Sequence, residues 1–256
     1  ISTDGSLFYL LENNIIPDLI VSLDPHPTRI IRWFGDQKLS KKKLTEDNYF
    51  RSQDIDIKFK NEIMVNKKIL KLTSKFGRRF NLALCTSAPE NVVKRLIKIK
   101  SKIYWWNPFL DDVDKKKISY SEKLYNINKL PLINSGGNVG SACWMIAANV
   151  LNCKNIGMIG MDFSYYIDTN LKQTQYYGIL KKNFGTKYIN KFYKRIFNPY
   201  VKKYFYTDYV YNWYKDIFLE MINDSKNNTI NCTEGGILFG KSIKNMKLKD
   251  FFKKYN

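Results

Sequence analysis

The sequence predicts an α/β fold, with a largely parallel sheet, helices on both faces and a basic, Tyr-rich insertion. Three observations carry this expectation. Short apolar runs are continuous rather than alternating, as strands buried on both faces require. They alternate with segments whose apolar residues recur at helical spacing. Most of the joints between them are short and rich in Gly, Pro, Asn and Asp.

In chain order, Ile1-Ser2-Thr3 reads as the end of a strand already under way, so an upstream segment is expected. Residues 4–13 place Leu7, Leu10 and Leu11 on one helical face. Asp18-Leu19-Ile20-Val21-Ser22-Leu23 is a buried strand, closed by Asp24-Pro25-His26-Pro27, where two prolines forbid continuation. Residues 36–80 are charged and irregular, with Lys41-Lys42-Lys43, and read as a surface excursion. Order returns with the strand Leu82-Ala83-Leu84-Cys85-Thr86, the cap-like Ser87-Ala88-Pro89-Glu90 and a helix carrying Val92, Val93, Leu96 and Ile97. The strand Ile103-Tyr104-Trp105-Trp106 completes a β-α-β unit.

A hydrophilic link is expected over 111–129, then the strand Leu130-Pro131-Leu132-Ile133, a glycine-rich turn and an apolar helix over 141–151. The strand Asn155-Ile156-Gly157-Met158-Ile159-Gly160-Met161 ends in Asp162. Residues 164–208 form a second excursion, because 169–207 hold nine basic residues and no acidic one, interleaved with seven tyrosines. A helix near 209–222 and the strand Thr229-Ile230-Asn231-Cys232 follow. With no internal repeat, residues 1–256 read as one domain carrying two excursions.

Composition narrows the function. Phe 16, Tyr 18 and Trp 5 in a chain that is 44% hydrophobic exclude a disordered protein, and Gly 13 with Pro 7 excludes a fibrous one. The most apolar stretch, 141–151, is far short of the roughly 20 residues of a membrane span, so no transmembrane segment is expected. Cys85, Cys143, Cys153 and Cys232 form no CxxC pair and sit among apolar or small residues, which suits reduced thiols and a cytoplasmic location. The net charge of +20 comes from 36 Lys against 7 Arg, in a chain also crowded with Asn and Ile. Such excess Lys attracts polyanions generally, whereas readers of base edges recruit Arg, so no sequence-specific nucleic-acid partner is expected.

Four strand ends carry chemistry. Ser135-Gly136-Gly137-Asn138-Val139-Gly140-Ser141 joins a strand to a helix: the glycines let backbone approach a ligand, and the first helical amides point at it with the positive end of the dipole. A phosphate or other anion is the natural occupant, and a tight packing turn is the alternative. A dinucleotide reading is also open, because Asp162 lies 22 residues after Gly140, although Ser135 replaces the first glycine of that pattern. Asp162, after Gly160, can hold a ribose hydroxyl or a metal, act as a base, or merely cap its loop. Asp24 with His26, the sole histidine, forms a carboxylate–imidazole pair for proton transfer or a magnesium anchor, or a plain turn. Thr233-Glu234-Gly235-Gly236 is a pocket contact or a β-turn. The basic, Tyr-rich segment reads either as a lid or acceptor cradle or as a solvated face.

Taken together, Asp24-Pro25, the Ser135–Ser141 turn with its Ala-rich helix, Asn155-Ile156-Gly157-Met158-Ile159-Gly160-Met161-Asp162-Phe163 and Asn231-Cys232-Thr233-Glu234-Gly235-Gly236 resemble the motility-associated-factor and MptE-like domain family. The resemblance implies a Rossmann-like fold and one of two activities: transfer of a nonulosonic, sialic-like sugar from a CMP-activated donor to a protein or glycan hydroxyl, or 6-hydroxymethylpterin diphosphokinase activity. It extends distantly to bacterial sialyltransferases. Ser135, Gly136 and Gly137, with Asn138, Gly140 and Ser141, would then meet the donor phosphate, and Gly160, Asp162 and Phe163 would lie near the nucleotide. Thr233, Glu234 and Gly235 are further ligand contacts in this reading. Asp24, His26 and Asp162 are the catalytic candidates.

The sialyltransferase base is a His shortly after the Gly-x-Asp-Phe motif, and this chain has none there. The family's first glycine-containing strand would lie upstream of Ile1. No metal or cofactor is expected for sugar transfer, whereas magnesium belongs to the diphosphokinase reading, with Asp24 and Asp162 as ligands. A non-catalytic nucleotide- or glycan-binding domain of a larger surface-polysaccharide enzyme, and a dehydrogenase, are the remaining readings.

Overall fold

The structure is a computed structural model that describes residues 1–40, 62–112, 114 and 118–255. The described residues fall into two compact units, one ending at Ile146 and the other beginning at Ala147, where the sequence alone reads as one domain.

The first unit is a parallel sheet whose strands lie in chain order: β1 (Ser2–Thr3), β2 (Ile20–Ser22), β3 (Asn81–Cys85), β4 (Lys102–Pro108) and β5 (Leu132–Ile133). Its helices are α1 (Asp4–Glu12), α2 (Ile30–Trp33), α3 (Glu62–Phe76), α4 (Glu90–Lys98), α5 (Tyr120–Asn128) and α6 (Val139–Met145). Alternation along each strand splits the core in two. Ile20, Leu82 and Leu84 join Leu7, Leu11, Phe34, Phe80 and Leu96 on one face. Val21, Ala83, Cys85 and Trp106 face Ala142 and Ile146 on the other. α6 covers that second face by crossing back to β1 and β2. Burying a ring such as Phe34 or Phe80, each fully inaccessible, contributes about 1.5–3 kcal/mol.

Two expectations change here. Part of the predicted 36–80 excursion is α3, whose Val65 and Ile69 pack against Phe8. Lys and Asn crowd its sequence, but its apolar residues recur at helical spacing, and that periodicity outweighs the charge count. Lys41, Lys42 and Lys43 lie outside the described residues. The predicted link over 111–129 contains α5, capped by the Ser119 hydroxyl accepting from the Glu122 amide at 3.1 Å and ended by Lys129 in the left-handed region. Arg95 ties the helices together: its Nε donates to the Phe34 carbonyl at 3.1 Å, and its Nη2 donates to the Thr73 and Ser74 hydroxyls at 2.8 and 3.0 Å.

The second unit contains β6 (Asn155–Met158), β7 (Tyr165–Tyr166), α7 (Tyr177–Phe184), β8 (Tyr193–Asn198), β9 (Lys203–Asp208), α8 (Tyr209–Asn223), β10 (Asn228–Asn231), β11 (Lys244–Asn245) and α9 (Leu248–Tyr255). β6, β10 and β11 form a parallel sheet with β10 central. Gly157 lets α9 approach β6, since a Cβ there would lie 3.0 Å from the Phe251 ring. The predicted 164–208 excursion is ordered as part of the second unit: an antiparallel sheet of order β7-β9-β8, with Tyr165, Leu180, Ile189 and Phe205 buried. Its interleaved lysines and tyrosines become ring contacts, among them the Arg195 guanidinium 3.9 Å above the Tyr204 ring.

Candidate functional site

The carboxyl edge of the first sheet gathers most of the candidate residues of that unit. β5 runs into Asn134, whose Oδ1 accepts the Gly136 amide at 3.0 Å. Gly136 and Gly137 then take φ of +55° and +82°, a path that glycine follows without strain. Asn138 caps α6: its Oδ1 accepts the Ser141 amide and its Nδ2 donates to the Ser141 hydroxyl, both at 2.9 Å. The Asn138 amide is itself bound to the Ser135 carbonyl at 3.1 Å. The amides of Gly137, Val139 and Gly140 have no acceptor among the described residues. Gly136 is buried and Gly137 is exposed, so part of this amide set faces solvent. Free amides at a helix start attract an anion through both hydrogen bonding and the helix dipole.

Asp24 and His26 leave the same edge at the end of β2. The Asp24 carboxylate accepts the His26 amide at 2.8 Å, a local turn bond. The His26 ring lies 2.7 Å through Nδ1 from the Thr28 hydroxyl and caps the short 3-10 turn Pro27–Arg29. Both side chains are half-buried. Nearby, Asp4 is 2% exposed and accepts the Ser22 hydroxyl at 2.6 Å. Burial, with the Asp4 charge adding to it, pushes the Cys143 thiol up. Sequence reading treated Asp4 only as part of a helix. Its signal was weak, because an acid in a first helical turn is ordinary.

The second unit brings together two motifs that are far apart in the chain. β6 and β10 are adjacent and parallel, with Met158 opposite Asn231, so the turns after them leave one sheet edge side by side. The Ile237 amide binds the Asp162 carbonyl at 2.9 Å, and the Thr233 hydroxyl accepts the Met161 amide at 3.4 Å. Gly236, at φ +69°, sits against the Asp162 backbone so closely that a Cβ would fall 2.5 Å from its Cα; at Gly235 a Cβ would lie 3.3 Å from the Asp162 carboxylate. Burial raises the Asp162 pKa. Gly160 has φ +79° and an open surrounding, and Glu234 is exposed at φ +57°. Phe163, expected near a nucleotide, is 9% exposed, with its ring 6.2 Å from that of Phe218.

Three further points bear on the sequence expectations. All four cysteines are free thiols, as their spacing implied. No three His, Cys, Asp or Glu side chains among the described residues gather as metal ligands. No described helix is long and apolar enough to cross a membrane.

A parallel sheet with glycine-bearing turns at its carboxyl edge and helices on both faces defines a Rossmann-like domain. The family described as 6-hydroxymethylpterin diphosphokinase MptE-like matches residues 1–168, and the chain belongs to it. No curated protein matches the chain. In fold it is similar to the MAf glycosyltransferase of Magnetospirillum magneticum AMB-1, with a TM-score of 0.53 and 12% identity. That similarity covers 98% of this chain but 31% of the other, so the chain spans about a third of the length of its structural relative.

Proposed function

We propose that this chain is a glycosyl-transfer domain that takes a nonulosonic, sialic-like sugar from a CMP-activated donor to a protein or glycan hydroxyl. The observation that carries the reading is the turn between β5 and α6, where the amides of Gly137, Val139 and Gly140 have no acceptor among the described residues. A donor phosphate on that turn would have its leaving-group charge met by fixed dipoles as the glycosidic bond breaks. The Ser135 hydroxyl would complete the cradle; Asn138, expected as a further contact, is committed instead to Ser135, Gly136 and Ser141 and acts through the cap alone. A base would take the acceptor's proton while the acceptor oxygen attacks the anomeric carbon with inversion, and CMP would depart carrying the bonding electron pair.

Asp24 and His26 are the base candidates on that edge. Asp162 is a separate candidate, favoured by a burial that moves its pKa upward, toward the working range of a general base. Thermal denaturation with CMP, ATP with and without magnesium, and NAD, each at millimolar concentration, tests the reading. Protection by CMP alone is expected. Protection by ATP and magnesium without CMP would replace it by pyrophosphoryl transfer, the reading that the family's description favours. Protection by NAD alone would favour a dehydrogenase.

A binding-only role is the reading from another class. Unchanged turnover of the intact protein after replacing Asp24 and Asp162 by Asn would favour it.

A further inference from the structure

In the second unit, β8 and β9 form a hairpin inside the stretch 169–207, which holds nine basic residues and no acidic one. Phe197 pairs with Tyr204 and Asn198 with Lys203, and residues 199–202 make the turn. Asn198 fastens that turn to the unit. It is 1% exposed; its Oδ1 accepts the Tyr200 and Val201 amides at 2.8 and 3.3 Å, and its Nδ2 donates to the Gly236 carbonyl at 2.8 Å. Lys202, at φ +53°, completes the reversal. A turn held by a buried asparagine keeps its shape, so little ordering entropy remains to be lost when something docks on it.

This ordered tip exposes both rings and charge. Phe197, Tyr200 and Tyr204 are 44%, 57% and 45% exposed. Arg195, Lys202 and Lys203 are exposed among them, and none of the three is in an ion pair with a described residue. Glu234 also borders Tyr200 and Val201, and Lys247 on the same rim offsets its charge. Half-bare rings favour leaving water, and clustered cations favour a negative surface. The interface of a bilayer with anionic phospholipids meets both demands: aromatic rings sit at headgroup depth, lysine stems lie along them and the cations reach lipid phosphates.

The ring geometry favours lipid over a ligand that stacks. A nucleic-acid base or a sugar packs on an open ring face. The Tyr204 ring already carries the Arg195 guanidinium 3.9 Å from its centroid and the Phe197 ring at 5.0 Å and 54°, and the Tyr200 ring leans on Phe239 at 6.2 Å and 55°. The tip therefore offers tilted, clustered rings rather than a flat platform. A guanidinium stacked on a ring keeps its in-plane N–H donors, which suit phosphate oxygens.

We infer that the tip of the β8–β9 hairpin docks the protein on a bilayer surface containing anionic phospholipid, with Phe197, Tyr200 and Tyr204 at headgroup depth and Arg195, Lys202 and Lys203 on lipid phosphates. Docking of this kind does not depend on the glycosyl-transfer reading. The test is co-sedimentation of the whole chain with vesicles of phosphatidylcholine alone and of phosphatidylcholine mixed with phosphatidylglycerol, at salt of about 0.1 M and about 1 M. Binding to the mixed vesicles alone is expected, and it weakens at high salt.

At roughly a factor of five per cation near such a surface, Lys202→Gln with Lys203→Gln is expected to weaken binding about 25-fold. Phe197→Ser with Tyr200→Ser is expected to weaken it about five-fold. Because the net charge of +20 attracts any anionic surface, the control is Lys67→Gln with Lys68→Gln, two exposed lysines of α3, expected to cost about two-fold or less. All six positions are exposed, so the variants keep the fold, which thermal unfolding checks. Absence of binding to the mixed vesicles would overturn the inference. So would a control pair that costs as much as the tip lysines, or tip rings whose removal leaves binding intact. Binding of a single-stranded oligonucleotide that the tip variants lose, without vesicle binding, would overturn it and assign the tip to nucleic acid.

Discussion

Two glycine-paired turns end parallel strands in this protein, and they use their glycines in opposite ways. After β5, Gly136 and Gly137 carry the chain into α6 and leave amides without acceptors among the described residues. After β10, Gly235 and Gly236 close on the Asp162 backbone, and the next amide, that of Ile237, is bound to its carbonyl. The first turn spends glycine on access, the second on close packing. Gly-Gly after a strand therefore has no single meaning; where the neighbouring amides go is what separates a cradle from a clasp.

The clasp supplies the largest expected effect. Gly236→Ala would put a Cβ 2.4 Å from the Asp162 carbonyl oxygen, at a φ of +69° that side chains rarely adopt. A loss of about 3–5 kcal/mol in urea unfolding is expected. Gly137→Ala at φ +82° carries strain without burial, and about 1–2 kcal/mol is expected. Equal losses at the two positions would erase the contrast between the turns.

Arg95 is 6% exposed and bonds the carbonyl of Phe34 and the hydroxyls of Thr73 and Ser74, locking α3 to α4 beneath the sheet. Arg95→Ala would leave a void and remove the guanidinium's bonds, while the Phe34 carbonyl keeps the Thr73 hydroxyl at 2.9 Å, lowering stability by about 1–3 kcal/mol on denaturant titration. Asn138→Ala removes the α6 cap, at about 1 kcal/mol, and under the proposed function weakens CMP protection in thermal denaturation. Stability lost with CMP protection intact would mean the cap orders the helix and nothing more.

Much of the first unit was legible in the sequence because local and tertiary signals agree there. Residues 18–23 and 82–86 are continuous apolar runs because both faces of β2 and β3 are covered. α3 and α5 hide their apolar spacing differently: α3 behind four lysines, α5 among Asn and Tyr. The antiparallel sheet within 164–208 was hidden by the same surplus. Its order depends on ring stacking, as of Tyr165 on Tyr211 at 5.2 Å, and on one buried acid, Asp208, which accepts from the Tyr165 hydroxyl at 2.8 Å and caps α8. These contacts join distant residues and leave no period to read. The pairing of Asp162 with Thr233–Gly236 was likewise invisible, since it follows from β6 and β10 being neighbours. What the sequence did mark were the strand ends themselves.

The smallest effect concerns Asp162 itself. Burial disfavours its charged form, so its folded-state pKa lies above the unfolded value of about 4. The folded chain then holds a proton there more tightly than the unfolded chain does. The resulting stability is complete below pH of about 4 and is lost as pH rises through the folded pKa. Asp111 works in the reverse direction: the Ser121 and Tyr120 amides hold its carboxyl well below the usual range, so its contribution is lost on acidification. A wild-type pH profile mixes the two, whereas the difference between wild type and Asp162→Asn isolates the first. That difference, measured by urea unfolding in steps from pH 3 upward, should tilt against the wild type as pH rises above about 4. A flat difference would mean that the clasp leaves the Asp162 carboxylate as well solvated as in the unfolded chain, and would take from Asp162 the raised pKa that recommends it as a base.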